Sequence, residues 1–257
     1  MLDIWVDAVG RTEAVERVRE FLHSGTRPHS VFASNPEKQF SVPMDEELYQ
    51  CYQNADLLLP DGIGMVKAAE LLHGAKLSRV PGSEFIFDIC EVAREQDKGV
   101  FVYGAKEEVN ARSCEILAGR FPGLRIAGRA NGYVAEDQMD GLIASINKSR
   151  AEVLLLALGS PRQEKWFARN KERLAHVKLV QAVGGTLDTI GGSVKRAPQI
   201  WQRCHLEWLY RLLAEPKRMG RQRVLPVFVW RVLKEWVKNR IGFRRPSVPR
   251  RLGAHRQ

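Results

Sequence analysis

No run of about 18 or more apolar residues occurs in the chain, so no segment is long enough to span a bilayer as a helix. Nothing near its start joins a charged stretch to an apolar one in the manner of an export signal. The expectation is a cytoplasmic protein that is neither exported nor membrane-spanning. Cysteine is scarce: Cys51, Cys90, Cys114 and Cys204 stand far apart, with no CxxC pair. That spacing argues against a zinc site and a disulfide framework and suits a reducing compartment. Also missing are a GxGxxG dinucleotide fingerprint, a GxxxxGK[ST] phosphate loop, HExxH spacing and a DxD-like pair at a strand end. These absences disfavour NAD enzymes and P-loop ATPases. They leave a reaction with no metal and no cofactor as the expectation.

What is present begins with charge, unevenly spread. The 257 residues carry a net +10, yet residues 195–257 hold 17 Lys and Arg against Glu207, Glu215 and Glu235, a net +14 that leaves −4 for the rest. A near-neutral body with a basic end points to a polyanionic partner, either nucleic acid or an anionic membrane surface. A merely solvated basic end has the same composition. The apolar share, 44%, is enough for a substantial core.

Short β-rich apolar runs recur at 30–34, 57–59, 100–103, 124–127, 153–158 and 177–183, separated by stretches of helical period. The alternation predicts an α/β fold, a Rossmann-like and mostly parallel sheet with helices on both faces, over residues 1–194. Thr12 is the expected N-cap of a first helix, and Pro36 and Pro161 fit first helical turns after strands. Beyond residue 195 the pattern becomes two helices, 198–213 and 217–240, broken at Glu215-Pro216. In the second, Leu225, Phe228, Val229, Val232, Leu233 and Trp236 fall at helical spacing among Arg231, Lys234 and Lys238. Such a helix either packs on the body or lies in a membrane interface. Residues 241–257, rich in Arg and Pro, read as a disordered tail.

In folds of this kind ligands gather where the strands end. Five junctions stand out. Ser34-Asn35-Pro36-Glu37 precedes a helix whose free amides suit an anion, although Ser and Asn also make plain caps. Leu59-Pro60-Asp61-Gly62 puts a carboxylate between an apolar strand and a glycine; Asp61 is the candidate base for an attacking hydroxyl, and Asp-Gly is equally a common turn. Arg79, ahead of Pro81-Gly82-Ser83-Glu84, is placed either to grip a phosphate or to face solvent. Gly159 to Trp166 and Val183 to Asp188 are strand–glycine–helix turns in which Gln163, Glu164, Gly184 and Asp188 are candidate ligand contacts, with Trp166 a core anchor. In the basic end, Arg211, Arg218, Arg221 and Arg223 supply cations for a leaving diphosphate.

These motifs, in this order, resemble the WecG/TagA/CpsF family of bacterial glycosyltransferases over residues 4–223, most densely at Lys195-Arg196-Ala197-Pro198, Leu206 to Leu212 and Glu215-Pro216. The resemblance implies inverting, metal-independent transfer from a UDP-sugar to an undecaprenyl-diphosphate-linked sugar in surface polysaccharide synthesis. It implies a peripheral place on the inner face of the membrane and a possible homo-oligomer in solution, with nucleic acid excluded as partner. Asp61 matches the family's base, and Gln163 and Arg79 match active-site positions. Ser34 is taken to replace a family threonine. Arg211, Arg218 and, less regularly, Arg221 match arginines of an appendage that closes over the site; Met219-Gly220-Arg221-Gln222 departs from the usual Leu-x-Arg-Tyr. Donor sugars of the N-acetylmannosamine, its uronate, glucose and galactose types remain open. A nucleic-acid binder is the competing class, disfavoured because Trp201, Trp208 and Trp236 keep core-like helical spacing instead of forming stacking platforms. An inactive scaffold is disfavoured because Asp61, Gln163 and Arg79 are all retained.

Overall fold

The computed structural model describes residues 4–194, 198, 201, 209–210 and 223–241. All six expected strands form: β1 (His29–Ser34), β2 (Leu57–Pro60), β3 (Val100–Gly104), β4 (Ile126–Ala130), β5 (Val153–Ala157) and β6 (Leu179–Ala182). They make one sheet in the order β2-β1-β6-β5-β3-β4 with every pairing parallel. Strands such as β2 and β5 are buried at every position, because a parallel sheet is covered on both faces by its crossover helices.

On one face, α1 (Arg11–Ser24), α5 (Gly82–Glu95) and α6 (Glu107–Arg120) close a layer around Val18, Leu22, Ile86, Ile89 and Leu117. On the other, α3 (Glu46–Gln53), α7 (Met139–Ser149) and α8 (Arg162–Asn170) close a second around Leu48, Tyr52, Ile146, Trp166 and Phe167. Trp166 is the core anchor expected of it: its ring lies 5.2 Å from that of Tyr103. The short α2 (Lys38–Ser41), α4 (Ile63–His73) and α9 (Thr186–Ile190) begin just beyond β1, β2 and β6.

Three local expectations change. The fourth strand starts at Ile126, not Leu124, because the Leu124 amide is bonded to the Phe121 carbonyl in a turn with Gly123 at φ 91°. The sixth is likewise shorter than 177–183. Thr12 lies inside α1 and is not its N-cap; the helix opens at Arg11, and the Gly10 amide donates to the Glu13 carboxylate at 2.7 Å. Glu13 thereby closes the helix end that Thr12 was expected to close.

The terminal helix, α10 (Val224–Ile241), packs across α4: Phe228 and Val232 are buried against Met65, Ala68 and Leu72. Burying side chains of this size contributes about 1.5–3 kcal/mol each. The opposite face is apolar yet exposed, with Trp230 59%, Leu233 48%, Val237 43% and Ile241 78% exposed. The apolar residues of the segment are therefore divided between a docked face and an open one. No helix among the described residues is long and apolar enough to cross a membrane. Most of the expected 198–213 helix, with the 242–257 tail, lies outside the described residues, as do Arg211, Arg218 and Arg221.

Candidate active site

A cavity of about 550 Å³ opens at the carboxyl ends of β2, β1, β6 and β5. Parallel strands deliver their following loops, and the starts of the next helices, to this edge. Asp61, Asn35, Arg79, Gln163, Glu164 and Gly184 all line it, and so do Gly62 and Gly159. The sequence spacing of these residues, from 35 to 184, collapses into one wall.

Asp61 is set by backbone. Pairing of β1 with β2 brings Ser34 opposite Pro60, and one step on the Asp61 amide donates to the carbonyls of Ser34 at 3.0 Å and Leu59 at 2.9 Å. Gly62 follows at φ 91°, a left-handed conformation that a side chain would strain, and α4 starts there. On the next edge the Val80 amide donates to the Pro60 carbonyl at 2.9 Å, which seats Arg79 beside the start of α5. Gln181 Nε2, from β6, donates to the Gly82 carbonyl at 3.0 Å and pins the same helix start.

Gln163 is a brace as well as a wall residue. Its Oε1 accepts from the Gly184 amide at 3.0 Å, and its Nε2 donates to Glu164 Oε1 at 3.4 Å. The loops after β5 and β6 are thus tied together by one side chain. Gly184, at φ 53°, is again left-handed.

Two expected contacts are not brought to the cavity. Alternation along β1 turns Ser34 away from it: the side chain is fully buried, its hydroxyl donates to the Trp5 carbonyl at 3.1 Å, and Ala33 lines the cavity in its place. Asp188 instead closes the turn after α9, its carbonyl accepting from the Ser193 hydroxyl and the Val194 amide, each at 2.9 Å.

The structure also adds residues. Lys38, in the first turn of α2, reaches the wall almost fully buried; Ser160, Ser83 and Thr186 line it too. Tyr52 stands behind, its hydroxyl donating to the Ala33 carbonyl at 3.1 Å; burial holds its ionisation well above the ordinary tyrosine range. Cys51 is another buried neighbour, with burial pushing its thiol up to about 11. Val224, Leu225, Phe228 and Val229 of α10 complete one side. Among the described residues no three His, Cys, Asp or Glu side chains come together as a metal-holding group.

The sequence profile of the Glycosyl transferase WecG/TagA/CpsF family matches residues 1–242, and all but one of its residues fall at or before the end of α10. The chain belongs to that family. As a glycosyl transferase it is 36% identical over 204 residues to the N-acetylglucosaminyldiphosphoundecaprenol N-acetyl-beta-D-mannosaminyltransferase of Bacillus spizizenii, covering 79% of this chain and 78% of the relative. A protein of the same description from Bacillus subtilis is 32% identical over 213 residues, covering 83% and 82%. The glycosyl transferase cavity thus sits where helix starts, an arginine and a carboxylate converge. Phosphate recognition and hydroxyl activation need those three elements.

Proposed function

We infer that the protein transfers N-acetylmannosamine from its UDP-linked form to a hydroxyl of N-acetylglucosaminyl-diphospho-undecaprenol. The carrying observation is the placement of Asp61 beside Arg79 and Gln163 in one cavity, with the two relatives' activity as the guide to the sugars. Transfer proceeds by a single displacement. The acceptor hydroxyl oxygen attacks the anomeric carbon, its proton passes to the Asp61 carboxylate, and the bond from that carbon to the phosphate oxygen breaks with its electron pair leaving on UDP. The configuration at the anomeric carbon inverts.

Charge developing on the leaving diphosphate is met by Arg79 and by amides at the starts of α4 and α5, without a metal. Arg211, Arg218 and Arg221 join them from the appendage. Asn35, Gly62, Gly159, Glu164 and Gly184 shape the pocket around donor and acceptor. The lipid-linked acceptor arrives at a membrane surface, and the open apolar face of α10, with Lys234 and Lys238 on the same helix, suits contact with anionic lipid.

The test is transfer by purified full-length protein, in EDTA, from UDP-N-acetylmannosamine, its uronate, UDP-glucose and UDP-galactose to a short-chain N-acetylglucosaminyl-diphospho-lipid, read by mass spectrometry. Addition of one N-acetylhexosamine is expected. Product from glucose or galactose alone would move the donor assignment, and no product from any donor would overturn the reading.

A further inference from the structure

Two groups on the cavity wall have no part in the transfer step described above. The Lys38 side chain, at 9% exposure, carries its ammonium into the wall. There Nζ donates to Ser160 Oγ, stands 3.9 Å from Glu164 Oε1 and lies 5.9 Å from the Tyr52 ring centroid. An ammonium has three N–H donors, and these contacts give one of them a hydrogen bond.

The second group is the Glu164 carboxylate, 2% exposed. Its Oε1 accepts from Gln163, while its Oε2 is buried with no hydrogen-bond partner among the described residues. Buried polar atoms are nearly always paired, and leaving one unmet is costly. Lys38 Nζ, with donors to spare, therefore lies 3.9 Å from one oxygen of a carboxylate whose other oxygen is unspent, and both residues line one cavity. A hydroxyl satisfies both at once, accepting from Lys38 and donating to Glu164 Oε2. A carboxylate can accept from Lys38 but has no proton for Glu164, and it would set two anions together.

Position tells which sugar is read. Asp61 follows the edge strand β2, beside the start of α4, on which α10 packs. Lys38 and Glu164 follow β1 and β5, further in along the sheet. With the acceptor arriving past α10, as the function inferred above has it, this inner part of the cavity is left to the donor sugar. We propose that Lys38 and Glu164 together read the C6 hydroxyl of the transferred sugar and turn away a uronate donor, a deepening that rests on the function inferred above.

The experiment measures kcat/KM for wild type, Glu164→Gln and Lys38→Met with UDP-N-acetylmannosamine, its 3-, 4- and 6-deoxy forms and its uronate. Wild type should lose on the order of 100-fold on the 6-deoxy donor and little on the 3- and 4-deoxy forms, because only the 6-deoxy donor leaves the pair unmet. Both variants should lose a similar factor on the parent donor and little more on that deoxy form, so that discrimination collapses. Glu164→Gln should also narrow the preference over the uronate. UDP alone, titrated calorimetrically, should bind both variants within about threefold of wild type, since the pair reads sugar and not diphosphate. A common factor of loss on every donor, or a tenfold loss of UDP affinity in Lys38→Met, overturns the proposal. If either variant fails to fold, the wild-type deoxy series decides, since equal rates on all three deoxy donors also overturn it. Absence of transfer by wild type overturns the functional reading itself, which separates the two failures.

Discussion

Asp61 has an amide fixed by two carbonyls and a glycine on its C-terminal side, so its backbone is positioned by main-chain bonds. Asp61→Asn should therefore keep the melting temperature and UDP affinity of wild type while turnover falls by about 10²- to 10⁴-fold, as loss of a general base requires. Near-normal turnover in a transfer assay would remove Asp61 from that role. Asp56 illustrates the opposite kind of residue. Burial alone would raise its pKa, but His29, Arg27 at 2.5 Å and the Ser30 amide at 2.9 Å hold it well below the usual carboxylate range. A lowered folded value means stability that is full above the unfolded value of about 3.9 and drains away as pH falls toward the folded one. Asp56→Asn should cost about 2 kcal/mol at pH 7 and distinctly less at pH 3 in urea melts; an equal cost at both would contradict the assignment. Residue-level reading of the sequence reached Asp61 because it follows a strand, Gln163 and Glu164 because they open the helix after one, and Arg79 because it precedes the Pro-Gly start of α5. It missed Lys38, whose position in a four-residue helix carries no periodic signal. It took Ser34 for its hydroxyl, whereas strand alternation turns that side chain away and puts Ala33 on the cavity wall.

At the scale of elements, the strands were legible as short apolar runs, buried throughout in β2, β3, β5 and β6 and only partly in the edge strand β4, and only their ends moved. Helix faces were harder. The buried stripe of α6 includes Asn110 and Ser113, and Asn110 spends its amide on the carbonyls of Val102, Gly104 and Ala130. Hydrophobic periodicity cannot find a face that is partly polar. For α10 the sequence left docking and membrane contact open, since both demand an apolar stripe. Phe228 joins the two roles, packing on α4 with one edge and lining the cavity with another. Phe228→Ala should loosen α10 by about 3 kcal/mol. Hydrogen exchange should rise across α10 while the sheet keeps its protection; unchanged exchange in α10 would mean that this contact does not hold the helix.

For the whole molecule, the proposed function makes the near-neutral body and the +14 end one device for meeting a lipid-linked substrate at an anionic surface. Binding to vesicles should rise with anionic lipid and fall with salt. Changing both Trp230 and Leu233 to glutamate should weaken it by tenfold or more without altering UDP affinity, because both lie on the open face of α10. Vesicle binding indifferent to these changes and to salt would assign the open face another use. The most direct test of the central claim, a single displacement at Asp61, is the anomeric configuration of the product formed from UDP-N-acetylmannosamine, determined by NMR. The linkage should have the configuration opposite to that of the donor. A product with the donor's configuration retained would contradict the mechanism.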